Sequence, residues 1–572
     1  MICCGMKMIG HDTGCALVID DGESIKIRAL SEERARREKH TMKFPIISLY
    51  TILEAEKLSI DDIDVFVTNH RRNVFNFDEY WKFNKEHYRL FDAYIGSRID
   101  WNQRVHLANH HDLHASSAYY SSPFEEATVV VIDASGNCGE TQSIYRARGL
   151  NLELMERSFL PGIGKLYEKV TEQILGLPGI GSAGKTMGLA PFGSKHGENS
   201  VSNWLRGIPK GINIVYDGMG DYENDFKLCF PYVQCKNKQE LTNPYYSRIA
   251  YDLQKETEEQ IVRLVNYAYE RYPSDNLCYA GGVALNCSAN RCIQEQTSFK
   301  RIWIQPAADD SGIALGAALW GYYNVMHQVK RYIMEMPYLG VSYKAVEIES
   351  IFSQYGLKRK KVPLRIIAKE LANGKIIGWY DAESEFGPRA LGHRSILSDA
   401  RDVAFRERLN REIKHREPFR PVAPIVLEED SKDYFEDVRD GRHMLYAYKV
   451  KENVKNKIPA VVHVDETARV QTINRDTLPV LHELLEIYRE ITGIPVLINT
   501  SLNDNTEAIV ETPLDALICA CRIKLDGLYI QGYYFTADDL SDINLEKMVQ
   551  NREEMIIEKR RRAGKKYGRK QF

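Results

Sequence analysis

Two stretches of this chain read alike, and that likeness constrains the fold more than any other feature of its 572 residues. The first leads from Met6 through the small polar turn His11-Asp12-Thr13-Gly14 into Cys15–Ile19, then through Asp21-Gly22 into Ser24–Leu30. The second begins with the β-branched run Thr128–Ile132, turns at Asp133-Ala134-Ser135-Gly136 and returns through Thr141–Ala147. Each is an apolar strand, a small or Gly-rich turn carrying an Asp, and a second strand. Such turns suit tight hairpins because Gly and Asp tolerate positive φ. A unit met twice predicts duplicated halves. Around the two units, apolar residues at helical spacing predict a helix over Ser247–Tyr272. Strands are predicted at Leu277–Ala280, ending in Gly281-Gly282, and at Arg301–Ile304, which runs through Pro306–Gly312 into an Ala/Gly-rich helix. Alternation of this kind predicts an α/β fold.

Length and composition bound the rest. At roughly 100–200 residues per domain, the chain exceeds one core. Apolar residues are 44% and charged residues 27%, which excludes disorder over most of the length. Mean hydropathy is -0.39, and no window offers the roughly 18 apolar residues of a spanning helix. Met1–Asp20 lacks a secretory pattern, and the eleven scattered cysteines include no Cys-x-x-Cys pair. These features predict a cytoplasmic protein with reduced thiols and no structural zinc.

After about Pro337 the texture changes: Lys344–Pro363 is a charged linker or first helix, and a second α/β unit spans about Ile366–Phe535. The expected organisation is therefore 1–340, 341–545 and a basic tail over 546–572. The tail is where the charge hides. Asn551–Phe572 carries nine Lys/Arg against three Glu, so a chain of formal charge -3 has a body of about -9. That body is no basic nucleic-acid binder, and the tail reads as a solvated or anion-touching segment.

Four motifs carry candidate chemistry. Gly179-x-x-x-x-Gly184-Lys185-Thr186 has P-loop spacing, but a P-loop needs a strand before it and a helix after it. Lys165–Leu177 reads as a helix, and Met187–Gly193 reads as unable to continue a helix past its first turn, so the segment is expected to be a loop. In His110-His111-Asp112-Leu113-His114, positions 110 and 114 share one face of a helix and can hold one metal ion. Oxygen donors must complete that site, and Asp133 with Asp310 or Asp309 are the candidates. Such a mixed set suits iron(II), zinc or manganese. Gly281-Gly282 with Asn286 opens a helix where backbone can approach an anion or a ribose-phosphate. Finally come the motifs holding Arg389 and Arg394, Lys414, Arg416 and Arg420, Arg469 and Gln471, and Asn499, Ser501 and Asn503; Arg389, Arg420 and Arg469 sit beside Gly/Pro turns or β-branched residues rather than on charged helix faces. Guanidinium forks with amide and hydroxyl donors suit phosphate or carbamate oxygens.

Together these motifs resemble the NodU/CmcH family of O-carbamoyltransferases over nearly the whole chain. The carrying stretches are His11-Asp12, Glu32-Glu33-Arg34 with Lys39-His40, His110–Ala118, Met187–Pro191, Gly281–Asn290, Pro306–Gly316, Glu385–Ser398, Lys414–Pro424, Asp465–Thr472 and Asn499–Asn503. The resemblance implies an N-terminal actin-like, duplicated ASKHA-type domain followed by a YrdC-like α/β domain. It implies that carbamoyl phosphate and ATP, with magnesium, become carbamoyl-adenylate in the second domain, where Lys414, Arg420, Arg389 and Arg469 with Ser501 and Asn499 hold the phosphates. Transfer to a hydroxyl of a small natural product then falls to the first domain. There a divalent metal, iron(II) foremost, sits on His110, His114, Asp133 and Asp310. Gly136, Gly281, Gly282 and Asn286 seat the nucleotide, and His11 is the general base. No membrane or nucleic-acid partner is implied, and a homodimer is compatible. The same two folds also serve tRNA threonylcarbamoyl-adenosine synthesis, which stays open as the alternative.

Overall fold

The computed structural model describes residues 1–69, 95, 104–220, 227–358 and 360–566. They form two compact units. The first comprises Met1–Ile27, Met42–Phe44 and Ser59–Glu335, and the second comprises Arg28–Thr41, Pro45–Leu58 and Met336–Phe572. Residues 28–41 and 45–58 thus fall in the second unit, although they lie inside the expected 1–340 domain.

Unit one is built on two five-stranded sheets. The first holds β1 (Ile2–Lys7), β2 (Gly14–Asp20), β3 (Ile25–Ser31, whose last four residues are counted in unit two), β4 (Val65–Asn69) and β5 (Val105–Ala108) in the order β3-β2-β1-β4-β5. The second holds β6 (Glu126–Ile132), β7 (Gln142–Arg148), β8 (Asn151–Ser158), β9 (Asn276–Ala280) and β10 (Arg301–Ile304) in the order β8-β7-β6-β9-β10. The orders are the same. In each, the central strand pairs antiparallel with the next strand in sequence and parallel with the fourth, which pairs parallel with the fifth. The repeat read from the two hairpins is therefore a repeat of whole sheets. Strand β1 starts four residues earlier than the Met6 at which the hairpin was read, because Ile2–Lys7 is buried throughout and shows no alternation.

The helix Ile313–Trp320 follows β10 and lies on β1 and on the helix His110–Tyr119. Two glycines permit that approach: a Cβ on Gly5 would overlap the Ala314 carbonyl, and one on Gly316 would overlap that of Leu113. This close packing brings the segment before Ile313 beside the two histidines of the neighbouring helix.

Unit two centres on a seven-stranded mixed sheet. Its strands are β11 (Ile377–Tyr380), β12 (Arg394–Asp399), β13 (Ala423–Leu427), β14 (Gln471–Ile473), β15 (Val496–Ser501), β16 (Gly527–Ile530) and β17 (Tyr533–Thr536), in the order β14-β13-β15-β12-β11-β16-β17. The helix Pro479–Thr492 covers one face with Leu481, Leu484, Leu485 and Tyr488, spaced as one helical stripe. Pro479 at its first turn and Gly493 at φ 76° set its ends. Each buried Leu contributes about 1.5–3 kcal/mol of transfer free energy. The charged stretch after residue 344 contains a helix, Ala345–Gln354.

Two expectations need amendment. Residues Ala183–Leu189 form a helix, with a 3-10 turn over Ala190–Gly193, so Lys185 sits inside a helix rather than at the mouth of one. Pro191 is tolerated because it falls in the first turn of the 3-10 segment, where a missing N–H costs nothing. Helix, not strand, precedes the loop (Ile163–Lys169 and Val170–Ile174), so the P-loop context is missing. The expected tail begins as the helix Leu545–Lys566, held by Arg552 on Asp515 at 2.7 Å and Lys559 on Thr51 at 3.1 Å. Its last six residues lie outside the described ones. Among the described residues no helix is long and apolar enough to cross a membrane.

Candidate active site

The first candidate centre gathers at the carboxyl ends of the parallel strands of unit one, where α/β sheets offer their loops to ligands. Asn109 follows β5 and caps the next helix, accepting from the His111 N–H at 2.9 Å. That cap starts the helix at His110 and sets His110 and His114 one turn apart. Asp133 follows β6 by one residue, and Asp310 opens the 3-10 turn Asp310–Gly312 after β10.

The four side chains converge. His110 Nε2 and His114 Nε2 are 3.2 Å apart. Asp133 Oδ2 lies 3.3 and 3.5 Å from them, and Asp310 Oδ1 3.3 and 3.6 Å. A regular tetrahedron with edges of that length has its centre about 2.1 Å from each corner, the usual distance for a metal on imidazole or carboxylate. The donor set therefore fits a divalent ion. The electrostatics agree. Burial works against charge on His110, yet Asp310 and Asp133 outweigh it and push the imidazole up to about 10. A proton there does the job of a cation. Asp133 and Asp310 are held far below the usual carboxylate range; burial opposes this, and it is overcome for Asp133 by the two imidazoles and for Asp310 by Lys7 and His110.

The turn gives Asp309 and Asp310 different partners. Asp309 caps it, with Oδ1 accepting from Ser311 N at 3.2 Å and Ser311 Oγ at 2.5 Å, while Asp310 faces the histidines. His111 points away and meets Ser143 Oγ at 2.8 Å.

His11 stands beside this cluster. Its Nδ1 is 2.7 Å from Asp12 Oδ2 and its Nε2 is 3.9 Å from Asp310 Oδ2. Burial lowers its basicity, but the bond to Asp12 and the charge of Asp310 raise it above the ordinary histidine value. Among the predicted nucleotide residues, Gly281 needs its φ of 95°, and a Cβ on Gly282 would stand 3.1 Å from Asp133 Oδ1. Gly136 donates to the Glu140 carbonyl at 2.7 Å inside its turn. Asn286 does not open the helix directly after the glycines as expected. A 3-10 turn, Gly282–Leu285, intervenes, and Asn286 caps the next helix through Ala289 N at 3.1 Å while exchanging 3.0 Å bonds with Gln254.

The second centre is cationic and lies in unit two. Lys414, Arg416 and Arg420 follow the π-helical turn Leu409–Ile413, and Arg469 ends the strand Thr467–Arg469. Lys414 is buried and gives its protons to Ser501 O at 2.8 Å, Asn503 O at 2.6 Å and Asn503 Oδ1 at 2.7 Å. It thereby fixes the loop after β15. Burial, with Arg416, Lys39 and Arg420 nearby, lowers its basicity strongly. Burial and the charges of Arg420 and Arg469 bring even the Arg416 guanidinium down to about 9, and its Nη2 is buried without a hydrogen bond. Asn499 bonds Gln471 Oε1 at 2.6 Å and Ala390 O at 3.4 Å. That contact ties the strand to the loop carrying Arg389, whose backbone N–H groups at Leu391, His393 and Arg394 converge on Glu385 Oε1 at 2.8–3.1 Å.

Two residues escaped assignment. Arg416 stood in the quoted motif without a role; its proximity to three other cations is tertiary. Lys7 was missed entirely. Its only sequence signal is a lysine ending an otherwise apolar strand, and the structure buries it against Asp310 and the His11 carbonyl.

The fold and sites define a two-unit α/β protein with an acid–imidazole centre in one unit and a guanidinium centre in the other. Residues 82–319 match the family model described as Carbamoyltransferase N-terminus, and residues 368–537 the one described as Carbamoyltransferase C-terminus. The chain belongs to this carbamoyltransferase family and is a carbamoyltransferase. It is 32% identical to Nodulation protein NolNO of Sinorhizobium fredii over 91% of this chain and 78% of that one. It is 27% identical to Nodulation protein U of Rhizobium tropici over 94% and 97%. With an uncharacterized protein of Synechocystis it shares 31% identity over 92% of this chain and 95% of that one.

Proposed function

We propose that this carbamoyltransferase is ATP-dependent and works through carbamoyl-adenylate, made in a YrdC-like second unit and consumed in an actin-like first unit. The observation that carries the reading is the pair of buried charge accumulations of opposite sign, one fitted to anions and the other to a cation. The duplicated sheet order of unit one supports the actin-like assignment.

In unit two, carbamoyl phosphate, ATP and water give carbamoyl-adenylate, phosphate and pyrophosphate. Water releases phosphate from carbamoyl phosphate, and the carbamate oxygen attacks the α-phosphorus of ATP while pyrophosphate leaves with the bonding pair. Arg416, Arg420 and Arg469, with Arg389, offset the charge of the phosphates. Fixed donors of this kind are each worth about 3–4 kcal/mol when they act on the transition state. Lys414 holds Ser501 and Asn503 in place, and Asn499 ties in the Arg389 loop. In unit one, His11 takes the proton of the acceptor hydroxyl, whose oxygen attacks the carbamoyl carbon as AMP departs. Asp12 orients His11 through Nδ1, leaving Nε2 as the base. His110, His114, Asp133 and Asp310 would hold a divalent ion, iron(II) foremost, which supplies Lewis-acid polarisation. The acceptor is a hydroxyl-bearing small molecule, in keeping with a body too acidic for nucleic acid.

The test is incubation with ATP and carbamoyl phosphate, followed by assay for pyrophosphate and carbamoyl-adenylate. Both are expected to form, and His110→Ala is expected to abolish transfer while sparing them. Turnover independent of carbamoyl phosphate, or dependent on threonine and bicarbonate, would overturn the reading.

A further inference from the structure

Lys7 is wholly buried at the end of β1, and its ammonium has two partners, Asp310 Oδ2 and the carbonyl of His11. Asp310 Oδ1 is the oxygen that faces His110 and His114, at 3.3 and 3.6 Å. Asp133 shows the same division of labour: Oδ2 faces the imidazoles, while Oδ1 accepts from the Ala134 N–H at 2.8 Å. Each carboxylate therefore spends one oxygen on the cluster and one on the protein. For Asp133 the holding group is a neutral amide. For Asp310 it is a full positive charge.

We propose that Lys7 is a positioning residue that confines Asp310 to one-oxygen ligation and sets the net charge of the loaded site. The inference rests on the metal-site reading given above. Two carboxylates, two neutral imidazoles and a divalent ion sum to zero, and Lys7 adds one positive charge to that set. A site of that charge receives an anionic phosphate ester, such as an acyl-adenylate, more readily than a neutral one. With Oδ2 engaged, Asp310 cannot close on the ion with both oxygens, which leaves room for the reacting group to add as a fifth ligand. The lysine also ties the His11 backbone to the same carboxylate, which couples the base to the ligand set.

The experiment loads the full-length protein with Co2+ and reads its visible absorption, its Co2+ affinity by competition with a chelator, and its KM for carbamoyl-adenylate. Wild type is expected to show strong four-coordinate absorption that is lost in His110→Ala. In Lys7→Met the absorption should weaken to a five-coordinate form as Oδ2 joins the ion. Its Co2+ affinity should rise about tenfold, within the range that partners of metal ligands exert. Its KM should rise more than its kcat falls. Lys7→Arg keeps the charge and is expected to retain the four-coordinate spectrum and a KM within a few-fold of wild type, which keeps the test decisive if the Met variant does not fold. An unchanged spectrum and affinity in Lys7→Met, or a five-coordinate spectrum in Lys7→Arg, would overturn the proposal alone. Co2+ absorption that survives His110→Ala would overturn the metal-site reading beneath it.

Discussion

The two centres pose one electrostatic problem with opposite signs. In unit one, two carboxylates are buried with two imidazoles, and the mismatch is relieved by lifting a proton onto His110, up to about 10. In unit two, Lys414, Arg416, Arg420 and Arg469 crowd together, and burial with the neighbouring charges depresses Arg416 to about 9. Each arrangement is costly alone and becomes favourable with a ligand of the missing sign. They differ in how they are built. The acid–imidazole centre takes two imidazoles from one helix and one carboxylate from each of two loops that follow strands, with the Ala134 N–H and Lys7 on its outer oxygens. The guanidinium centre comes from one turn and a short strand, and its order depends on Lys414 spending its protons on the Ser501–Asn503 loop.

The sharpest way to break this comparison is to strand the charge that one centre has balanced. Asp310→Ala leaves Lys7 buried without its counter-ion, so unfolding should become easier by about 3–5 kcal/mol. Denaturant titration measures this, and Asp310→Asn should recover part of it. Should Asp310→Ala unfold like wild type, Lys7 is not balanced by that carboxylate. In the other centre, Arg420→Ala is expected to slow pyrophosphate release from ATP and carbamoyl phosphate by about 10²–10³-fold. Metal content should stay as in wild type. A loss of metal in that variant would deny that the centres are separate.

The pH dependence sharpens the contrast further. Below about 10, the acid–imidazole cluster carries one proton on His110. A metal ion must expel it, so affinity should rise about tenfold per pH unit between pH 6 and 8 and level off above the histidine value. Chelator competition at several pH values measures the slope; a flat profile would show that no proton is displaced. The smallest effect expected is that of Asn109→Ala. Losing the cap should cost about 1 kcal/mol in thermal or denaturant unfolding and loosen metal binding only slightly, because His110 and His114 remain on a packed helix.

Much of the first site was legible because its chemistry is local. A spacing of four places His110 and His114 on one helical face whatever surrounds the helix. Asp133 was legible as a loop carboxylate directly after an apolar strand. The spacing of residues alone left Asp309 and Asp310 both open and the resemblance named Asp310, since neighbouring residues in a turn differ only in which way they face. Lys7 was illegible for a different reason: a buried lysine looks like any strand end until its counter-ion arrives from residue 310. The second site was legible as a collection of cations and amides. Which of them share a pocket, and that Arg416 is among them, depends on how the Leu409–Ile413 turn and the Thr467–Arg469 strand meet.

By itself the amino-acid sequence determined the α/β class, the duplication, and the helix that presents two imidazoles, because strand period, turn chemistry and helical pitch act over a few residues. Tertiary structure alone decided that residues 28–41 and 45–58 belong to the second unit. It also decided that Gly5 and Gly316 admit a helix whose preceding turn holds Asp310 beside the histidines, and that a lysine closes the circle. Those outcomes rest on contacts between residues hundreds of positions apart, where close packing and charge balance, rather than local propensity, choose the partners.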